Sequence, residues 1–487
     1  MLAADRSGYV EAHGLWSDQA YAAAAQMRRV IDELGIEMVR FGFVDQHGLV
    51  RSKTLTGAAI AGGLRNGVTV PSSLMLKDTS GKSVFPVFSA EPGVGVAGFS
   101  GAGDIVLVPD PTTFRVLPWA AHTGSILCDV RFPDGSAVPF CTRSLLRRVC
   151  EPLASRGFGL TVGVELEFHV FRSGGDGITA DHVGRPGEPG LPPAATPTTP
   201  GSQLLHDETL DSLDELVQAL RLGLTHVDLP LRSIELEFGP SQLEITLAAA
   251  DAADAADAVV LLRTAVRQIC RRHGYHATFM SRPAGAQTAS AGWHLHQSLR
   301  ELGTGADAFV PEHSGEVLSP TGRHYLAGLL EHARGAAAFT TPTINGYKRY
   351  QPYSLAPDRV VWGVDNKGAM VRAIGSADNP DSRLENRSGE PAANPYLYIA
   401  SQIISGLDGL DRELDPGSPT ENPYQDQAPP LPRSLAEALD ALDADEVFRR
   451  SLGREVVDWY LAIKRSEFDR YLAHVSDWEQ REYFGLL

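Results

Sequence analysis

Apolar and polar residues alternate with period two in several short stretches of the chain, and the chemistry-bearing side chains fall on one phase of the alternation. The longest stretch, Leu160-Thr161-Val162-Gly163-Val164-Glu165-Leu166-Glu167-Phe168-His169-Val170-Phe171, reads as a strand. Its two carboxylates, Glu165 and Glu167, project from one face, about 6 to 7 Å apart at Cα, so that one can serve each of two neighbouring cations. In Gly292-Trp293-His294-Leu295-His296 the imidazoles share a face while Trp293 and Leu295 turn into packing. Ile234-Glu235-Leu236-Glu237-Phe238 and Gln242-Leu243-Glu244-Ile245-Thr246 flank a Gly239-Pro240 turn, a bend that can bring Glu237 and Glu244 to one centre.

Around these strands the pattern changes period. Residues 21–34 read as a helix, residues 38–44 as a strand, residues 45–48 as a turn and residues 49–55 as a returning strand. The first hundred residues thus predict a small sheet with a helix. Beyond residues 109–118, strands alternate with helices at 144–154, 255–272 and 324–338, with Gly274 just past the end of the second. Residues 173–201, rich in Gly, Pro, Thr and Ala, predict a solvent-exposed excursion. After Asn394 the chain turns helical, apart from a Pro-rich segment at 415–432, and no internal repeat is visible. The expected division is 1–118 and 119–487.

Composition narrows the function. The 487 residues carry a formal charge of -17, which argues against nucleic acid or anionic membrane as partner. No apolar run approaches the roughly 18 residues of a membrane helix, and Met1-Leu2-Ala3-Ala4-Asp5-Arg6 lacks a secretory signature, so the expected location is cytoplasmic. Cys128, Cys141, Cys150 and Cys270 match no metal knuckle and read as small buried hydrophobes.

A lone Glu-x-Glu on a strand is ordinarily a solvated face. Here the acids lie among apolar residues that read as buried, where a carboxylate without a cation or donor is costly. His169 continues the face of Glu165 and Glu167, but nothing distinguishes it as a ligand. Basic residues complete the picture: Asn345-Gly346-Tyr347-Lys348-Arg349, Lys367, Arg372 and Arg383-Leu384-Glu385-Asn386-Arg387. Arg383 and Arg387 flank Glu385 on one face of an extended segment, which suits an anionic substrate whose developing charge guanidiniums neutralise.

Taken together these motifs resemble the glutamine synthetase family. The resemblance runs in order from the Glu165 strand through Glu237-Phe-Gly-Pro-Ser-Gln-Leu-Glu244, Gly292-Trp-His-Leu-His-Gln-Ser-Leu299, Asn345-Gly-Tyr-Lys-Arg349 and Glu385-Asn-Arg387 to Pro391-Ala-Ala-Asn-Pro-Tyr-Leu397. It extends to the amino-terminal region through Gly103-Asp104-Ile-Val-Leu-Val-Pro-Asp110. It implies an α+β fold: a small N-terminal β-grasp domain and a large catalytic domain with a curved antiparallel sheet flanked by helices. By resemblance, Glu167, Glu237 and Glu244 hold one cation, and Glu165, His294 and Glu385 a second, as Mg²⁺ or Mn²⁺. His296, Ser298, Arg372 and Arg383 match ATP-contacting positions. Arg349 and Arg387 match residues that hold the carboxylates of glutamate, with Glu167, Ser290 and His294 beside them, and Arg349, Lys367 and Arg387 match the catalytic cations. The implied reaction passes through a γ-glutamyl phosphate, which an amine then converts to an amide. The family's closed rings, commonly two stacked hexamers, imply a homododecamer in which the amino-terminal domain completes a neighbour's site.

Departures from the pattern point to the amine. Ammonia-using members carry an aspartate in Phe-Asp-Gly-Ser, where this chain has Val70-Pro71-Ser72-Ser73, and a flap Pro-Gly-Tyr-Glu-Ala-Pro, where it has Pro352-Tyr353-Ser354-Leu355-Ala356-Pro357. Pro71 and Leu355 replace two acids that an ammonium ion needs. An aromatic or alkyl monoamine is therefore expected over ammonia or a polyamine, placing the chain nearest the γ-glutamyl-amine ligase branch. Ala289-Ser290 stands for the family's Asn-Gly, and Lys367 for an arginine, which leaves an ammonia-using synthetase and a catalytically inactive binding or structural protein as alternatives. Tyr424 lies near where some relatives are adenylylated, and no such control is expected.

Overall fold

The computed structural model describes residues 6–91, 93–175, 177–284 and 289–487, which form an α+β fold around two sheets. The smaller sheet contains β1 (Met38–Val44), β2 (Val50–Thr56), β3 (Val68–Pro71), β4 (Asp104–Pro109), β5 (Arg115–Val116) and β6 (Thr123–Arg131). Their order is β2-β1-β6-β4-β3, with β5 added to β6. β1 and β2 make the expected hairpin, and Asp45 Oδ1 fixes its turn by accepting from the backbone N–H groups of His47 and Leu49, each at 2.9 Å. The sheet does not stop at residue 118. β6 lies at its centre, parallel to β1, and a parallel partner so far back in the chain leaves no local trace in the sequence.

The larger sheet contains β7 (Phe158–Ser173), β8 (Ala195–Pro197), β9 (Leu231–Leu236), β10 (Gln242–Asp251), β11 (Tyr275–Thr278), β12 (Trp293–Glu301), β13 (Trp362–Val364), β14 (Val371–Ile374) and β15 (Arg383–Asn386). The order is β13-β14-β15-β12-β7-β10-β9, with β8 and β11 on β7, and every pairing is antiparallel except β13 with β14. Leu160, Val162, Val164, Leu166, Phe168 and Val170 of β7 are all buried on one face, beneath the helices Thr142–Ser155 and Ala252–Arg272.

The helix Pro395–Asp411 is buried almost all round, as its nearly unbroken apolar run requires. Asn394 caps it by accepting from Tyr396 and Leu397 N–H, while its amide donates to Asp45 O at 3.0 Å, tying the small-sheet turn to the large domain. Arg263 reinforces that tie from inside the core, donating to Gly48 O, Pro391 O and Ala393 O at 2.8 to 2.9 Å. Helix packing is close here: a Cβ on Gly328 would stand 2.0 Å from Ser405 O.

The segment expected as one helix over 324–338 is two, Pro320–Glu331 and Ala333–Thr340. They break at His332, whose ring nitrogens lie 2.8 Å from Asp445 and 2.9 Å from Asp408. The 173–201 excursion is mostly exposed and touches down as β8. All four cysteines are free, three of them buried. No helix among the described residues is long and apolar enough to cross a membrane.

Candidate active site

Strand register gathers the sequence motifs on the face of the large sheet opposite its helices. Glu165 of β7 sits across from His294 of β12, and Glu167 across from Glu244 of β10. His296 faces Glu385 of β15, which in turn faces Arg372 of β14. Five neighbouring strands thus present polar side chains to a common surface.

The contacts are direct. Glu165 bridges the two histidines, with Oε1 3.0 Å from His294 Nδ1 and Oε2 3.0 Å from His296 Nε2. His294 Nε2 lies 3.8 Å from Glu167, and its Nδ1 3.8 Å from Glu385. Glu385 is fully buried and accepts from Arg372 Nη1 at 3.0 Å and, closely, from Arg387 Nη1. Glu167 Oε2 accepts from Gln242 Nε2 at 2.7 Å and Gly292 N–H at 2.9 Å.

Electrostatics divide these acids into two kinds. Burial opposes ionisation of Glu165 and Glu385, yet the histidines, and Arg387 for Glu385, hold both below the usual carboxylate range. Burial and then the charge of Glu237 push Glu167 up to about 8. Burial, with the charges of Glu165, Glu167 and Glu237, pushes Glu244 up to about 10. Glu237 is itself raised by burial, despite an N–H from Phe238 and the nearby Lys367. Burial, with Arg387 beside it, keeps His294 neutral and so available as a ligand.

Two trios bring ligand atoms within 4.8 Å of one another: Glu165 with Glu244 and His294, and Glu165 with His296 and Glu385. Buried carboxylates gathered beside imidazoles in this way suit hard divalent cations. Glu165 belongs to both trios, and His296, expected as a nucleotide contact, stands in a ligand position. Glu167 and Glu237, expected beside Glu244 on one cation, belong to neither trio; Glu237 acts on Glu167 and Glu244 through its charge.

The arginines rim this surface. Arg349 and Arg387 are buried; Arg349 Nη1 donates to Ser388 O at 3.1 Å and Gly389 O at 2.7 Å, and Arg387 Nη2 donates to Leu355 O at 3.4 Å. The Nε of each has no partner among the described residues. Arg372 and Arg383 line a cavity of about 950 Å³ with Glu165, His296 and Ser298, and Arg383 Nε lies 3.3 Å from His296 Nδ1. Ser290 meets Gln242 Nε2 through its carbonyl at 3.5 Å. Lys367 is exposed.

The two amine-side positions lie apart in the fold. Leu355 is exposed beside Arg387, whereas Pro71 is exposed on β3 of the small sheet, paired with Asp104. Sequence reasoning overlooked Gln242 and Gly163. Gln242 shares the phase of Glu244 and orients Glu167, so its period-two spacing was the available signal. Gly163 lines the cavity where a Cβ would stand 3.1 Å from His296 Cβ; a lone glycine inside a strand marks such an approach. His169 is a core histidine, buried and pushed down to about 4 by burial.

Comparison with known proteins agrees with this arrangement. A family model described as "Glutamine synthetase, catalytic domain" matches residues 139–483. The γ-glutamylanilide synthase of an Acinetobacter species is 42% identical over 499 residues, covering 99% of this chain and all of that protein. The glutamate–isopropylamine ligase of a Pseudomonas species is 31% identical over 474 residues, covering 95% of this chain and 98% of that one. A solved structure of GmaS without ligand superposes with a TM-score of 0.76 at 29% identity, covering 93% of this chain and 98% of that one. With its sheet register, its ordered motifs and these full-length likenesses, the chain belongs to the glutamine synthetase family.

Proposed function

We propose that this protein is an ATP-dependent carbon–nitrogen ligase that joins the γ-carboxylate of L-glutamate to an aromatic or alkyl monoamine, yielding a γ-glutamylamide, ADP and phosphate. The observation that carries the reading is the shared face of Glu165, Glu167, Glu244, His294, His296 and Glu385, rimmed by arginines and bordered by an apolar flap instead of an acidic one. The 42% identity to a γ-glutamylanilide synthase supports the aromatic class.

Those six residues, with Glu237 nearby, would hold two or more Mg²⁺ or Mn²⁺ ions, which when bound neutralise phosphoryl oxygens. The protein's own groups do the remaining work. Arg372, Arg383, His296 and Ser298 line the cavity that takes the nucleotide, and Gly163 leaves its wall open. Arg349 and Arg387, anchored by carbonyls and by Glu385, keep guanidinium edges for the carboxylates of glutamate. Holding the γ-carboxylate in line with the terminal phosphoryl group lets it form the γ-glutamyl phosphate, and the amine then displaces phosphate. A weakly basic arylamine is neutral near pH 7 and attacks without a prior deprotonation. Lys367, exposed and near Glu237, supplies a positive charge at the rim of the site. The same reading divides the chain after Arg131 rather than at 118, since β6 pairs inside the small sheet and the family match begins at 139. It also takes the protein as a ring-shaped homo-oligomer, a dodecamer of stacked hexamers, with the exposed Pro71 serving a neighbour's site.

Phosphate release from ATP tests the proposal. It should require glutamate, a divalent cation and an organic amine such as aniline, with ammonium a poor substitute. Turnover of ammonium at an efficiency comparable to aniline would identify an ordinary glutamine synthetase instead.

A further inference from the structure

The flap carries an anomaly that its apolar character alone does not explain. Tyr353 and Leu355 both adopt left-handed backbone, with φ of 61° and 60°. Neither residue type favours that region. At the position of Tyr353 the flap motif of ammonia-using members has glycine, the residue for which a positive φ is free of steric cost. Here a bulky ring adopts a positive φ, so other contacts must hold it.

Four such contacts exist. Ser354 Oγ donates to Arg349 O at 3.1 Å and Gln351 O at 2.5 Å. Leu355 O accepts from Arg387 Nη2 at 3.4 Å, and Ala356 O accepts from the Tyr424 hydroxyl at 3.3 Å. The segment is therefore pinned by both substrate-side arginines and, through the next carbonyl, by Tyr424. The Tyr424 ring packs 4.9 Å from the Tyr353 ring at 45°, and it lies against bare backbone where a Cβ on Gly368 would come within 3.2 Å. Burial raises the Tyr424 hydroxyl, which keeps it a neutral donor. Tyr353 remains 74% exposed and Leu355 62% exposed, so a ring face and a leucine stand open beside Arg387.

We infer that Tyr353 and Tyr424 form a tilted aromatic pair that sets amine specificity in the ligase proposed above. Tyr353 offers its free face to an aryl ring, and Tyr424 is a positioning residue that locks the flap in the left-handed shape presenting Tyr353 and Leu355. This inference rests on the amine-ligase reading for its substrate class and on the flap geometry for its residues. An aryl amine gains a ring contact that an alkylamine or ammonium cannot make in full.

The test compares wild type with Tyr353→Gly, Tyr424→Phe and Tyr424→Ala. Initial rates of glutamate-dependent phosphate release are measured with aniline, isopropylamine and ammonium, alongside hydrogen exchange of the amides at 353–357. Tyr353→Gly should raise KM for aniline roughly tenfold, the KM for isopropylamine less than half as much, and the KM for glutamate least. Tyr424→Phe keeps the ring and loses the bond to Ala356 O, so flap exchange should quicken, and more so in Tyr424→Ala. An equal KM change for all three amines overturns the specificity role, and unchanged flap exchange in both Tyr424 variants overturns the brace. Wild-type enzyme inert toward both organic amines would sink the amine-ligase reading and the aryl contact together, with the brace still decided by exchange.

Discussion

Replacing Glu244 by glutamine should stabilise the metal-free protein while impairing its affinity for metal. In the folded chain Glu244 is pushed from an ordinary 4.5 up to about 10, by burial and by Glu165, Glu167 and Glu237. A folded value above the unfolded one means that the carboxyl's contribution is fully present below pH 4.5 and is lost as pH rises toward 10. From 4.5 to 7 the loss accumulates at about 1.4 kcal/mol per pH unit, or about 3 kcal/mol at neutrality. Glutamine keeps the shape and the donor of the protonated acid without that loss. Urea unfolding in EDTA should therefore show Glu244→Gln more stable than wild type by about 3 kcal/mol at pH 7 and by under about 1 kcal/mol at pH 5. With saturating Mn²⁺ the order should reverse, because wild type gains the full binding free energy and the variant lacks a ligand. Equal stability at pH 7 without metal, or a gain of the same size at pH 5, would refute the picture of a carboxyl raised by burial and by its acidic neighbours.

Other expectations follow from neighbouring features. Since Glu167 and Glu244 are held at about 8 and about 10, Mn²⁺ binding at pH 7 should release about two protons per chain, read by calorimetry in buffers of different ionisation enthalpy; heats independent of buffer would contradict it. Arg263→Ala leaves the carbonyls of Gly48, Pro391 and Ala393 without their buried donor and should cost about 3 kcal/mol in denaturant unfolding, with a loss below 1 kcal/mol counting against the tie. His332 is raised from 6.5: burial opposes the charge, and the bonds to Asp445 and Asp408 outweigh it. Its support is fully present below pH 6.5 and fades as pH rises through the folded value, so His332→Gln should flatten the stability profile across that interval; parallel profiles would be the adverse result.

The acids and imidazoles were legible in the sequence because strand periodicity is local. Glu165, Glu167, Glu244, His294 and Glu385 all lie on the phase the alternation assigns, and pairing only had to bring the strands together. What escaped were features set by distant partners. The membership of β6 in the small sheet depends on β1, and the break at His332 depends on Asp408 and Asp445, neither of which a helical pattern over 324–338 announces. The ligand-like placement of His296 arises from Glu165 accepting from both histidines, a choice made by side-chain rotamers rather than by spacing. The flap's left-handed tyrosine is invisible for a related reason, since backbone handedness at a non-glycine residue is imposed by its surroundings.

The strand β7 is chemically two-sided from Leu160 to Glu167, and that leaves this stretch no freedom of length. One residue inserted or deleted between Phe158 and Val164 would turn Glu165 and Glu167 toward the helices and Val164 and Leu166 toward the cations, losing core and catalytic surface in a single event. Evolution can therefore edit this strand by substitution alone. Diversification of such an enzyme must fall on the segments that border the face without belonging to the ladder, such as the loop carrying Tyr353 and Leu355, and new amine substrates are best sought by varying those loops while the strand is left untouched.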